Sequence, residues 1–360
     1  MPPSPPLALL NGSPLGQRPT GIGVVTQGLA KALHPDRVMF LDPVTTGHPN
    51  SLAIPNTLSP DSGRQGHLRR LLWTQHQLPG LLKQTGASFL LSPLPEAPLL
   101  RGGGVRSIVL AHDLIPLRFP RLGSLLAYHL AYVPFVLHSA ERVLCNSEAT
   151  AREIHHWLRV PRRKLVVIRL GFNQDQLRPL DLPRQPFFLV LGRHDHHKNL
   201  PRVLQAFARL GSPELRLKLV GPPNPRRTPK LKQLAVELGI AHQCEWISWV
   251  TDEERLTLLN TTQALVIPSL WEGFGLPALE AMACGTAVVA GEAGALPEVV
   301  GSAGLLVDPT SPVSIAGAMA CVLSDRGVQR QARQAGPGRA AQFRWETTAR
   351  QVEALLEELA

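Results

Sequence analysis

Twelve short apolar runs, alternating with longer stretches of helical spacing, constrain this 360-residue chain more than any other feature of it. That alternation predicts an α/β fold with parallel sheets, whose strands are buried on both faces and read as continuous apolar runs. In the first half the predicted strands cover residues 7–10, 38–41, 89–91, 107–110, 142–145 and 165–168. In the second half they cover 187–191, 215–220, 244–247, 264–267, 287–290 and 304–307, with helices predicted over 200–210, 230–238 and 252–260. Thr251 is placed to cap the last of these helices, with acids just inside it. Residues 171–186 form the natural linker, so the chain divides into domains over 1–178 and 179–345, each large enough for its own core. Ligands in open α/β sheets bind outside the carboxyl ends of the strands. Two such domains predict a cleft between those ends, and the residues that matter are the ones directly after strands.

Charge is unevenly spread. Residues 1–180 hold 19 Lys+Arg against 9 Asp+Glu, whereas residues 181–360 hold 18 of each, so the whole net charge of +10 sits in the first half. It includes Arg69-Arg70, Arg101/Arg106, Arg118/Arg121 and the segment from Arg159 to Lys164. A basic half favours an anionic surface or substrate, and a solvated face with no partner is the alternative. A peripheral contact with an anionic membrane is expected here, and nucleic acid is not. Residues 122–140 carry no Asp, Glu, Lys or Arg and are long enough to span a bilayer, but two histidines, two serines, a glycine and a proline make a poor span. They are predicted to form a buried or interfacial helix. The opening MPPSPPLALL lacks the basic start and apolar core of a signal peptide. Cys145, Cys244, Cys284 and Cys321 form no C-x-x-C pair and are expected as free thiols in a reducing, cytoplasmic compartment.

The densest signal follows the predicted strand 264–267: Trp271-Glu272-Gly273-Phe274-Gly275-Leu276-Pro277-Ala278-Leu279-Glu280. Pro277 suits the first turn of a helix and Gly285 its end, predicting a helix over 277–284. Leu276 cannot cap it, so the amide groups of that helix start are available to an anion, and the two glycines let a ligand approach the backbone. Glu272 and Glu280 then make sense as acceptors for neutral hydroxyls; a glycine-rich turn with two solvated glutamates is the alternative. After the strand 187–191 comes Gly192-Arg193-His194-Asp195-His196-His197-Lys198-Asn199, whose Arg193 and Lys198 could clamp a diphosphate. Adjacent histidines cannot all face one ion, and no D-x-D pair occurs, so no metal is expected. Thr20-Gly21-Ile22-Gly23 precedes a helical run but lacks the third glycine of the dinucleotide fingerprint, since Thr26 stands there, which disfavours a nicotinamide dehydrogenase. His112-Asp113-Leu114 lies at another strand end.

Glu272 and Glu280, seven residues apart within EGFGLPALEAMACGTAVVA, resemble the E-x7-E signature of the retaining glycosyltransferases of family 4. Pro268-Ser269 before it and Gly294-Ala295-Leu296-Pro297-Glu298 after it match that family as well. The resemblance implies the GT-B fold, two facing Rossmann-like domains with a cleft between them, and a terminal helix over 346–360 packing back on the first domain. It implies that Arg193 and Lys198 bind the donor's diphosphate and that His112 lines the reaction centre and contacts the transferred sugar. Glu272 would hold sugar hydroxyls and Glu280 the ribose. The backbone of Gly273, Phe274, Gly275 and Leu276 would hold sugar and phosphate, and Gly21 and Gly23 would approach the donor and acceptor. Val24 stands where the most similar subgroup often has an arginine.

A family 4 enzyme retains the anomeric configuration without a metal, the departing phosphate oxygen taking the acceptor's proton. The nucleotide sugar is a substrate, so no cofactor is expected. The expected donor is GDP-mannose ahead of UDP-glucose, and the expected acceptor is a glycan or lipid-linked glycan of polysaccharide or O-antigen assembly. Two alternatives stand beside this: a nucleotide-sugar epimerase or hydrolase on the same fold, and a non-catalytic nucleotide-sugar-binding protein.

Overall fold

A computed structural model describes residues 5–16, 21–44, 47–99 and 106–360; Thr20 and Arg101 lie outside the described residues. The chain forms two compact units, Met1–Gly171 with Phe343–Ala360, and Phe172–Gln342, against the boundaries at 178 and 345 expected from sequence.

The first unit is built on seven parallel strands: β1 (Ala8–Asn11), β2 (Val38–Asp42), β3 (Ser51–Ala53), β4 (Phe89–Ser92), β5 (Arg106–Ala111), β6 (Arg142–Cys145) and β7 (Leu165–Val167), in the order β3-β2-β1-β4-β5-β6-β7. Six of them coincide with apolar runs. The strand β3 lies outside them, being three residues long with two of the three exposed. Helices α1 (Ile22–Ala32), α2 (Gly63–His76), α3 (Leu78–Thr85), α4 (Ile115–Arg118), α5 (Ser124–Ala131), α6 (Val133–Ser139) and α7 (Glu148–Leu158) connect the strands.

The second unit holds six parallel strands, β8 (Phe187–Leu191), β9 (Arg216–Val220), β10 (Cys244–Ile247), β11 (Ala264–Ile267), β12 (Ala287–Gly291) and β13 (Leu305–Val307), in the order β10-β9-β8-β11-β12-β13. Its helices are α8 (Leu200–Ala208), α9 (Thr228–Glu237), α10 (Asp252–Thr261), α11 (Leu276–Ala283), α12 (Leu296–Val300), α13 (Pro312–Ser324) and α14 (Arg326–Ala340). Thr251 caps α10 in a reciprocal capping box with Glu254. Arg184, in the linker, donates to the carbonyls of Leu259, Asn260 and Thr262 at 2.9–3.2 Å and to that of Gly285 at 2.8 Å. One guanidinium thus meets carbonyls that the ends of α10 and α11 leave without helical partners. Burial brings its pKa down to about 10.

The last helix, α15 (Trp345–Leu359), belongs to the first unit and lies against α1. His34 N–H donates to Glu353, Arg37 pairs with Glu357, and Arg106 donates to the Leu359 carbonyl. The Trp345 ring occupies the space that a Cβ would need at both Gly28 and Gly171.

One expectation is corrected. Residues 122–140 are two short helices, α5 and α6, broken at Tyr132 with Pro134 in the first turn of α6; no residue of α5 is buried. Among the described residues no helix is long and apolar enough to cross a membrane. Part of the basic excess is paired within the unit. Arg70 is buried against Glu96, Arg118 pairs with Glu153, Arg162 with Glu148, and Arg106 stacks on Phe89. Arg69, Arg121, Arg152, Arg159, Arg162 and Arg163 are exposed.

The α1–α15 contact yields a test. A Cβ at Gly28 would lie 2.2 Å from the Trp345 ring. Gly28→Ala should therefore lower stability by about 1–3 kcal/mol in urea unfolding, the cost of overpacking. An unchanged midpoint would show that α15 does not hold this position in solution.

Candidate functional site

The order of the second sheet reverses between β8 and β11, the topological switch point at which parallel sheets open a crevice beyond their carboxyl ends. Both strands deliver chemistry there. After β8, Gly192 takes φ 139°, and a Cβ on it would sit 3.3 Å from Lys198 Cε, so the loop folds back tightly on itself. The loop ends at Asn199, a non-glycine residue in the left-handed region at φ 60°. Its buried side chain offsets that strain by donating to the carbonyls of Pro268 (2.9 Å) and Pro309 (2.6 Å). Asn199 therefore ties the loop after β8 to the loop after β11.

That tie brings Lys198 Nζ to 2.6 Å from Glu272 Oε1, and Ser269 Oγ donates to the same oxygen at 2.6 Å. Glu272 is only 7% exposed. Burial by itself would raise its pKa; the Lys198 ammonium and the Ser269 hydroxyl outweigh that and hold the carboxyl below its ordinary value. The backbone of Glu272 is fixed as well. Its carbonyl accepts Ala295 N–H at 3.0 Å, and it approaches Gly294 so closely that a Cβ there would lie 2.4 Å from the same oxygen.

Helix α11 starts at Leu276, one residue before the predicted 277, with Gly275 at its N-cap in the left-handed region (φ 108°). No side chain caps it. The helix start thus offers amide groups and the positive end of its dipole to an anion beside the Lys198–Glu272 pair. Gly273, Phe274 and Gly275 are buried and Leu276 is half-buried. Further along the helix, Glu280 receives Arg255 Nη1 of α10 at 3.1 Å. Burial raises the Glu280 pKa, Arg255 opposing and Asp252 reinforcing the shift.

The other residues of the loop after β8 diverge. The Arg193 side chain is 66% exposed, with its Nε 3.4 Å from Asp195. His194 is buried edge-on against Trp246, its Nδ1 2.9 Å from Thr228 Oγ1, and Asp195 accepts from Asn224 at 3.0 Å. Among the described residues no group of three or more His, Cys, Asp or Glu is placed to hold a metal ion.

The remaining predicted residues belong to the first unit. Gly21 (φ 50°) is the uncapped N-cap of α1, and Gly23 is buried in the first turn. His112 follows β5, its Nε2 2.8 Å from the Pro93 carbonyl. Because a carbonyl only accepts, Nε2 carries the proton and Nδ1 the lone pair of the neutral ring. Burial lowers the His112 pKa, against the opposing pull of that carbonyl and of Asp113. Asp113 turns the chain into α4, accepting Ile115 N–H at 2.9 Å. The roles of Ser269, Asn199 and Arg255 are not legible in sequence, because each comes from a contact with a residue of another loop or helix or from a hydrogen bond to a buried carboxylate.

Two family models match. Residues 19–176 match Glycosyltransferase Family 4, and residues 173–339 match Glycosyl transferases group 1. The O-antigen chain mannosyltransferase B of Escherichia coli is 32% identical over 225 residues, 58% of this chain and 58% of that protein. The MMP alpha-(1->4)-mannosyltransferase of Mycolicibacterium hassiacum is 33% identical over 228 residues, 62% of this chain and 55% of that protein. The chain thus spans little more than half the length of these curated relatives. Among solved structures, the sucrose-phosphate synthase of Thermosynechococcus elongatus superposes with a TM-score of 0.80 at 22% identity, covering 99% of each chain. Anabaena HepE in complex with UDP and glucose superposes at 0.76 and 19%, covering 98% of this chain and 99% of that one. At those identities the likeness concerns the fold, and it is the GT-B fold. With its two sheets, its E-x7-E segment and family models matching nearly its whole length, this chain belongs to the family 4 glycosyltransferases.

Proposed function

We propose that this protein is a metal-independent, retaining hexosyltransferase that moves a sugar from a nucleoside-diphosphate donor to a glycan or lipid-linked acceptor. The observation that carries this reading is the Lys198–Glu272 contact at the switch point of the second sheet, beside the uncapped start of α11. A donor's diphosphate competes for the Lys198 ammonium, and Glu272 then accepts hydrogen bonds from the sugar's hydroxyls. As the anomeric C–O bond breaks, negative charge grows on the departing diphosphate, where Arg193, Lys198 and the α11 amides stabilise it. The acceptor hydroxyl attacks from the same face and gives its proton to the leaving oxygen, so no protein base is needed. Glu280 is assigned the ribose hydroxyls, His112 the transferred sugar, and Gly21 and Gly23 the phosphate and acceptor approach. The names of the two bacterial relatives favour mannose, hence GDP-mannose; UDP-glucose is second.

The acceptor side fits a peripheral contact with an anionic membrane. Among the described residues, six of the fourteen exposed large apolar side chains lie in one part of the first unit: Leu68 and Leu72 on α2, and Leu122, Leu125, Leu130 and Phe135 in and around α5 and α6. Helices α2 and α5 meet through His67 and Tyr128, whose rings are 5.1 Å apart, and the exposed Arg69 and Arg121 punctuate the apolar residues. Apolar side chains flanked by cations suit the interface of an anionic bilayer.

With EDTA present, a panel of GDP- and UDP-sugars should yield one donor that binds and slowly releases its nucleoside diphosphate. Glu272→Gln and Lys198→Met should cut that release on the order of 100-fold or more, the scale of losing a transition-state stabiliser. Release of free sugar or epimer at a rate indifferent to acceptor would favour the hydrolase or epimerase. Absence of any nucleotide binding by the folded protein would sink the enzyme reading. For the membrane contact, the protein should co-sediment with phosphatidylglycerol vesicles and not with phosphatidylcholine vesicles. Leu125→Ser with Phe135→Ser should abolish co-sedimentation and leave donor hydrolysis intact; a double variant that still sediments places the contact elsewhere.

A further inference from the structure

Helix α2 carries a buried ion pair that the reaction outlined above does not use. Arg70 donates from Nε and Nη2 to the two carboxylate oxygens of Glu96, at 2.8 and 2.9 Å, with Arg70 7% and Glu96 1% exposed. Glu96 lies in the segment Pro93–Leu94–Pro95–Glu96–Ala97–Pro98–Leu99, which leaves the carboxyl end of β4, where the order of the first sheet reverses. Side chains hold this segment along its length. Tyr128 OH donates to the Pro95 carbonyl at 3.2 Å and Tyr132 OH to the Ala97 carbonyl at 2.8 Å. Gln75 reaches the Ala97 carbonyl at 3.0 Å and accepts Leu99 N–H at 2.7 Å. Three prolines remove donors and narrow the backbone's freedom. At the head of the segment, the Pro93 carbonyl is the group that fixes the His112 tautomer.

A buried ion pair is a poor source of stability, because desolvation offsets its attraction and apolar residues of similar volume often serve as well. What a bidentate pair supplies is a fixed geometry. We propose that Arg70 and Glu96 are positioning residues for His112. By clamping the 93–99 segment they keep the Pro93 carbonyl on Nε2–H, so that the ring presents Nδ1 as an acceptor to a sugar hydroxyl. This rests on the sugar-contacting role proposed for His112, and the test separates the two.

The variants are Glu96→Gln, the apolar pair Arg70→Met with Glu96→Leu, His112→Ala, and Glu96→Gln combined with His112→Ala, all in the full chain. The apolar pair leaves no buried charge, so it should fold even where Glu96→Gln does not. Both clamp variants should lower kcat on the order of 10-fold or more with donor KM little changed, the scale of a misplaced active-site group. Imidazole ¹⁵N spectra should show His112 as the Nε2–H tautomer in the parent and as a tautomer mixture in the variants. On the His112→Ala background, Glu96→Gln should cost nothing further in kcat. A full additional loss on that background, or an unchanged tautomer in both clamp variants, overturns the proposal. If His112→Ala leaves kcat unchanged, the sugar-contact role fails by itself, and the tautomer spectra still decide whether the clamp sets the ring.

Discussion

A carboxylate taken out of water must find a cation or give up its charge, and the second unit is arranged around that constraint. Glu272 keeps its charge because Lys198 stands 2.6 Å away, and Lys198 stands there because Asn199 accepts a strained backbone to reach two carbonyls of neighbouring loops. The close approach of Gly294 to the Glu272 backbone closes the arrangement from the other side. Loops after β8, β11 and β12 are thereby locked around one ion pair. Under the proposed function a ligand carrying both a diphosphate and hydroxyl groups draws off each of the two partners, so the pair keeps charge ready without leaving it uncompensated.

The first unit solves a related problem differently. Its buried charges, Arg70 and Glu96, are matched in a bidentate pair and connect to His112 through the backbone of the 93–99 segment. In the second unit the charges belong to the predicted ligand contacts, whereas in the first they support a neutral ring. An imidazole kept neutral by burial, with one nitrogen committed to a carbonyl, is suited to accept a hydrogen bond and is poorly suited to stabilise negative charge. In the proposed reaction the cations, Arg193 and Lys198, belong to the second unit.

The surface of the first unit carries a less expected feature. The sequence places ten surplus positive charges in its first 180 residues; Arg70 is buried against Glu96 and Arg106 and Arg118 are half-buried, while Arg69, Arg121, Arg152, Arg159, Arg162 and Arg163 stay exposed. Cations at a surface are well solvated, so their number alone does not call for a partner. The exposed leucines and Phe135 around α2, α5 and α6 are the stronger sign of a partner, since a folded unit gains nothing from leaving them in water.

Strand positions were legible from sequence because strands of a parallel sheet, covered on both faces, must be apolar throughout. Twelve of the thirteen strands fall on the predicted runs, and only β3, three residues long with two of them exposed, does not. The loop motifs were legible for a related reason: glycine at Gly192, Gly275 and Gly294 meets demands of backbone angle or close approach that few other residues satisfy. The pairings were not legible. Nothing local in the sequence joins Lys198 to Glu272, Arg255 to Glu280 or Arg70 to Glu96, because each contact spans about 25 residues or more and exists only once the strands are ordered. The uncharged stretch 122–140 breaks at Tyr132 for a local reason, Pro134, which lacks the amide donor a continuous helix needs; what the fold adds is that the Tyr132 hydroxyl donates to the Ala97 carbonyl, 35 residues away. Sequence determined which residues could do chemistry, through spacing and backbone permissiveness; tertiary structure decided which of them share a charge, because burial and distance are properties of the folded chain alone.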